Sequence, residues 1–83
     1  MNLEYEVKRY LQKNDYKPDY LLRAQNYLNG FLVHLPDYSS KTLQDFLKTM
    51  SYYCECGYFI AEQGIADLPN YRFTLKGYNN LIM

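Results

Sequence analysis

The apolar residues at the start of the chain recur at helical intervals. Leu3, Val7 and Leu11 are spaced four residues apart, and Tyr10 falls on the same stripe. This spacing predicts a first helix over about residues 2–13.

A second apolar stripe lies between Pro18 and Pro36. Its members fit a helical repeat and are Leu21, Ala24, Leu28, Phe31, Leu32 and Leu35. Proline suits the first position of a helix, where its missing N–H would have no partner, and it cannot continue a helix further along. The pattern therefore predicts a second helix from Pro18 to Leu35.

A third helix is predicted after a polar turn. Ser39 or Ser40 can serve as its N-cap. One side of this helix is apolar, with Leu43, Phe46, Leu47 and Met50.

Residues 51–63 combine helix and strand signals. Gly57 weakens a helix by about 1 kcal/mol, and β-compatible side chains are frequent, namely Tyr52, Tyr53, Cys54, Tyr58, Phe59 and Ile60. Cys54, Tyr58 and Ala61 can share one face of a helix, and Gly64 can cap a helix C-terminus. We predict a helix over 51–63, with a strand as the open alternative.

The C-terminal segment predicts a small β element. Residues 68–70 resemble a turn, and 71–73 a short strand. Thr74 can then cap a last helical turn. The fold class expected is mostly α with a short β element, in a single domain over residues 1–83.

Composition supports a folded domain and limits its function. Hydrophobic residues make up 48% of the 83 residues and aromatics 18%, too many for a disordered chain. The net charge is zero, so the chain has no overall attraction toward a polyanion. The N-terminus is acidic and no apolar run is long enough to span a bilayer, which predicts a cytoplasmic protein without a membrane partner.

The order of helices, glycine, turn, strand and Thr74-x-x-Gly77 resembles the winged-helix superfamily. The resemblance rests on Gly64, residues 71–74 and Gly77. It implies a winged-helix-like helical domain with a minimal C-terminal wing. In such proteins a helix enters the major groove of DNA. Residues 51–63 would take that place, and they contain no lysine or arginine.

The sequence offers little for catalysis or metal binding. Cys54 and Cys56 are separated by one residue, and the only histidine is His34. Zinc sites normally use three or four protein ligands, so we predict two free thiols, no metal and no cofactor. His34 is expected in the core or at a helix end. No phosphate loop or nucleophile motif is present, and we predict a protein that is not an enzyme.

Eleven tyrosines are the strongest compositional feature. A domain of this size cannot bury them all, and exposed tyrosine gives a large rigid contact area. The leading hypothesis is a non-catalytic protein-binding module. In size and charge it resembles small inhibitors and adaptors encoded by phages and mobile elements. The predicted partner-binding residues are Tyr52, Tyr53, Glu55, Tyr38 and Tyr16.

The alternative is a winged-helix transcriptional regulator that binds duplex DNA, and in this hypothesis it can form a homodimer through its first helix. Its predicted nucleic-acid contacts are the cations Lys41, Lys48, Arg72 and Lys76. A third hypothesis is stacking of tyrosines on single-stranded nucleic acid, which zero net charge disfavours.

Overall fold

The computed structural model describes residues 3–14 and 16–82. Helices come first and a β-hairpin follows, with one very short strand between the first two helices. The elements are α1 (Leu3–Asn14), β1 (Leu21–Leu22), α2 (Ala24–Gly30), a 3₁₀ turn (Leu32–His34), α3 (Ser40–Glu55), β2 (Phe59–Ile65), β3 (Leu68–Phe73), α4 (Leu75–Gly77) and a π-helical turn (Tyr78–Ile82).

The first and third predicted helices are confirmed. Val7 and Leu11 of α1 are fully buried, as the stripe requires. Ser39 is the N-cap of α3, and its backbone N–H donates to Thr42 Oγ1 at 3.1 Å. That bond satisfies a backbone group just outside the first turn of the helix. The apolar stripe of α1 is therefore used inside the monomer, which leaves little of it for a dimer.

The prediction of one helix from Pro18 to Leu35 is wrong. Asp19 has a positive φ of 69°, so the chain turns there, and Leu21 and Leu22 then pair with β3. Only residues 24–30 form α2, before the 3₁₀ turn. The helical spacing is real, but backbone pairing with a distant strand outweighs it at the N-terminal end.

The predicted helix over 51–63 is also wrong, and the open alternative of a strand applies to its second half. Helix α3 continues through Glu55 and ends at Cys56. Gly57 follows with a φ of 83°, in the left-handed region where glycine is favoured. The chain then begins β2 at Phe59, so the β-compatible residues divide between a helix end and a strand.

A β-hairpin of β2 and β3 occupies the place of the predicted minimal wing and is longer than that prediction. Ile65 pairs with Leu68, so the turn is Ala66-Asp67, and both residues have positive φ, 50° and 62°. The predicted turn at 68–70 is wrong, because these residues begin β3. Gly64 is not a helix cap and lies in a β-bulge of β2. The strand predicted over 71–73 is confirmed as the end of β3.

The three strands form an antiparallel sheet in the order β1-β3-β2. Leu21 and Ile60 are the partners of Arg72 on either side. Pro69 is tolerated in the central strand because β1 pairs only with residues 71 and 72, so no β1 hydrogen bond is required from Pro69.

The core lies between α1, α3 and the sheet. It is rich in aromatic rings: Tyr27 packs on Phe46 with centroids 4.7 Å apart, and Phe59 on Phe73 at 4.6 Å. Other fully buried members are Val7, Leu11, Leu22, Leu32 and Met50. This aromatic core accounts for part of the tyrosine surplus.

The predicted cap at Thr74 is confirmed. The Gly77 N–H donates to Thr74 Oγ1 at 3.0 Å, and the Thr74 hydroxyl contacts the Gly57 carbonyl oxygen at 2.6 Å. Thr74 therefore joins the start of the C-terminal turn to the loop that follows α3.

Candidate binding face

One side of α3 points to solvent along its whole length. Its exposed side chains are polar or aromatic and include Lys41, Gln44, Lys48, Ser51, Tyr52 and Glu55, which we call the α3 face. Lys41, Lys48 and Glu55 are spaced seven residues apart, about 10 Å per step. The face therefore has a basic N-terminal half and a C-terminal half with one tyrosine and one carboxylate.

Tyr52 is the most exposed aromatic residue of the part that the structure describes, at 57%. Its hydroxyl hydrogen-bonds the Cys56 side chain one turn later, which raises the pKa of Tyr52. Its ring lies 6.0 Å from that of Tyr53. The outer surface of the Tyr52 ring stays open, and a large exposed tyrosine is typical of interface anchor residues.

Tyr53 is not a surface residue, so its prediction as a partner-binding tyrosine is wrong. It is only 2% exposed and belongs to the core. Residue 53 shares the apolar side of α3 with Phe46 and Met50. The prediction of a separate helix from residue 51 did not include this relationship. Burial raises the pKa of Tyr53, and its hydroxyl has no hydrogen-bond partner among the described residues.

The C-terminal end of the α3 face continues onto the loop that follows the helix. The ring of Tyr58 lies 5.7 Å from that of Tyr53, and Lys76 Nζ stands over the Tyr58 ring at 5.9 Å. The predicted DNA contact Lys76 therefore lies beside the tyrosines and makes a cation–π contact. Tyr52, Glu55, Tyr58 and Lys76 give this end a mixed aromatic and charged surface.

Tyr38 and Tyr16 are not part of the α3 face. Tyr38 precedes the N-cap of α3, so about 18 Å of helix separates it from Tyr52; it is 38% exposed. Tyr16 is half-buried, stacks on Tyr20 with centroids 4.3 Å apart, and its hydroxyl lies 2.8 Å from that of Tyr10. Its role is to hold the end of α1 against the sheet.

Arg72 is engaged within the sheet. Its guanidinium forms an ion pair with Glu62, with Nε 2.5 Å from Oε2, and Nη1 donates to the Asp19 carbonyl at 2.9 Å. The pair raises the pKa of Arg72 and lowers that of Glu62. A phosphate would have to compete with a carboxylate already in place.

The two thiols have separate surroundings. Burial raises the pKa of Cys54, while a hydrogen bond from the Ala61 N–H lowers it; Cys56 contacts Tyr52. Both cysteines are free.

His34 is exposed at the end of the 3₁₀ turn, in agreement with the expected helix-end position. Within residues 3–14 and 16–82, no three His, Cys, Asp or Glu side chains form a group that could hold a metal ion.

The α3 face unites candidates that the sequence had assigned to two different functions. The signal was present in the seven-residue spacing of Lys41, Lys48 and Glu55, with Tyr52 four residues after Lys48. The prediction of a helix boundary at Ser51 assigned these residues to two different helices, so their common face was not recognised.

The comparisons with known proteins leave the family open. No protein-family model matches the chain, and neither a curated protein nor a solved structure matches it. In the described part of the chain, no helix combines the length and the apolar character needed to cross a membrane.

Proposed function

We propose that the chain is a non-catalytic protein-binding module of the inhibitor or adaptor kind, which docks on its partner through the C-terminal half of the α3 face. The observation that carries the proposal is Tyr52, a large and mostly exposed ring that lies beside Tyr53 and Cys56. Tyrosine supplies a large rigid contact area and has only two χ angles to fix, so it loses little conformational entropy on binding. Glu55 and Lys76 supply charges of both signs around it, as in an interface rim.

The winged-helix assignment is part of the same proposal. Helix α3 directly precedes a two-stranded hairpin, and the hairpin pairs with a short strand between the first two helices. This order supports a winged-helix-like domain in which α3 is the helix that contacts the partner.

The experiment compares capture of partners by wild type and by matched variants. We expect Tyr52→Ala with Glu55→Gln to abolish capture of a partner that wild type retains in equimolar amount. Tyr38→Ala is the control, because it removes an exposed tyrosine far from the α3 face. Equal capture by wild type and by the Tyr52 and Glu55 variant would exclude this docking face.

A second candidate, binding to duplex DNA, is favoured by one observation. The helix before the hairpin is residues 40–55 and not 51–63, so it carries Lys41 and Lys48 on its exposed side, with Gln44 between them. Lysine can neutralise phosphates and glutamine can read adenine.

Salt dependence separates the two candidates. Two phosphate contacts would give a slope of about −1.8 when the logarithm of the DNA-binding constant is plotted against the logarithm of the salt concentration. Lys41→Gln with Lys48→Gln should remove that slope and leave protein capture unchanged. A salt-independent interaction that needs Tyr52 would exclude the DNA-binding candidate.

A further inference from the structure

A surface cavity of about 410 Å³ lies away from the α3 face, between α1 and the segment from Gly30 to Leu35. Its volume is in the range of small-ligand sites. The residues that line it are Glu6, Arg9, Tyr10, Lys13, Gly30, Phe31, His34 and Leu35.

The apolar residues that line this cavity are Tyr10, Phe31 and Leu35, of which Phe31 is only 7% exposed. Tyr10 and Phe31 lie 4.6 Å apart with an angle of 16° between their planes. The Tyr10 hydroxyl lies 3.1 Å from the Asn26 carbonyl oxygen and 2.8 Å from the Tyr16 hydroxyl, so it is already engaged by the protein. Burial also raises the pKa of Tyr10, which keeps this surface uncharged.

The polar part of the cavity is cationic. Arg9 and Lys13 are exposed and one turn apart on α1, and His34 stands opposite on the 3₁₀ turn. Glu6 is the only acidic one among the described residues that line the cavity, so their fixed charges leave one net positive charge before His34 is counted. Arginine can bind a carboxylate through two parallel hydrogen bonds.

These features favour a singly charged anion over a doubly charged one. A dianion would exceed the net charge of Arg9, Lys13 and Glu6.

We propose that this cavity binds a small monocarboxylate with a flat apolar body. The carboxylate pairs with Arg9 and Lys13, and the body lies against Tyr10 and Leu35, the apolar lining residues that are partly exposed. Gly30 leaves room for it, because a β-carbon there would meet only the Tyr10 hydroxyl oxygen, at 3.7 Å.

The test compares the binding of 2-naphthoate with that of its neutral analogue 2-naphthamide. Binding of each compound is measured from the changes in the backbone amide NMR shifts of the whole chain. We expect saturable shifts with naphthoate at residues 9, 13 and 30–35, and affinity for the amide weaker by about tenfold or more. Arg9→Gln with Lys13→Gln should abolish the difference between the two compounds. Lys8→Gln is the control, since Lys8 is an exposed cation of α1 that does not line the cavity.

A second variant tests the cavity without changing its charge. Gly30→Leu should fill the space and weaken naphthoate binding, whereas Gly30→Ala should leave it nearly unchanged. Equal affinity for acid and amide would overturn the proposal, as would shifts confined to other surfaces. So would the absence of naphthoate binding up to about 10 mM to a chain whose NMR spectrum shows it folded.

Discussion

Arg72 and Glu62 form a two-point ion pair between the central strand and the edge strand of the sheet. Nε of Arg72 lies 2.5 Å from Oε2 of Glu62, and Nη2 lies 3.3 Å from Oε1. Because Nη1 also donates to the Asp19 carbonyl, this one guanidinium joins β3, β2 and the turn before β1.

The ion pair makes the free energy of unfolding depend on pH, with lower stability in acid. The pKa of Glu62 is lower in the folded chain than in the unfolded chain, so its stabilising contribution is complete above the unfolded value of about 4.3 and is lost as the pH falls through the folded value. We expect Glu62→Gln to lower Tm slightly at pH 7 and to reduce the fall in Tm between about pH 5 and pH 3. Thermal unfolding followed by circular dichroism measures both effects. Glu55→Gln, at an exposed position of α3, should change neither, and an unchanged acid response in Glu62→Gln would contradict the assignment.

The close approach of Gly77 to Tyr58 predicts a strict requirement for glycine. A β-carbon at Gly77 would overlap the Tyr58 carbonyl oxygen and lie 2.8 Å from its carbon. Neither backbone can move freely, because Thr74 holds both segments. We expect Gly77→Ala to lower the free energy of unfolding by about 1–3 kcal/mol. Gly30→Ala meets no such obstacle and should be neutral or slightly stabilising in the same urea titration.

Two buried tyrosines should respond in opposite directions to loss of the hydroxyl. The Tyr27 hydroxyl donates to the Pro69 carbonyl at 2.9 Å, so Tyr27→Phe leaves that carbonyl without this donor and should cost about 1 kcal/mol. The Tyr53 hydroxyl has no partner among the described residues, so Tyr53→Phe should stabilise by up to about 1 kcal/mol. Chemical denaturation of both variants checks the sign, and a destabilised Tyr53→Phe would reveal a partner for its hydroxyl.

The hairpin turn stores strain at Ala66. A left-handed conformation costs most L residues about 1–2 kcal/mol, and asparagine tolerates it best among residues with a side chain. Ala66 has a φ of 50°, so Ala66→Asn should stabilise by about 0.5–1 kcal/mol. Ala66→Val, at the same exposed position, should destabilise because a β-branched residue fits this region poorly. If both variants unfold at the same denaturant concentration, the turn is not strained.

The sequence predicts best where one local rule acts alone. The stripe of α1 and the caps at Ser39 and Thr74 follow from spacing and from side-chain chemistry, and the structure contains all three. The hairpin could not be predicted in the same way. Its turn uses Ala66, a poor left-handed residue, while Pro69 and Asn70, which are typical turn residues, lie in a strand.

The residues of the α3 face could be predicted from the sequence, but their position on one common face could not. Lys41, Lys48, Tyr52 and Glu55 were each identified from the sequence, but their common face depends on α3 running without a break past Ser51. No local residue ends the helix before Cys56 and Gly57. The burial of Tyr53 follows from the same continuity, since it depends on the register of α3 from its N-cap onward.

The hydrogen bond between Cys54 and Ala61 also bears on self-assembly. Strand β2 is an edge of the sheet, and an open edge can add strands from other molecules. The Ala61 N–H is directed to the Cys54 sulfur at the end of α3, and the bulge at residues 62–65 interrupts the strand further along. The regular part of this edge is therefore limited to residues 59–62, which shortens the segment to which a strand of another molecule could pair.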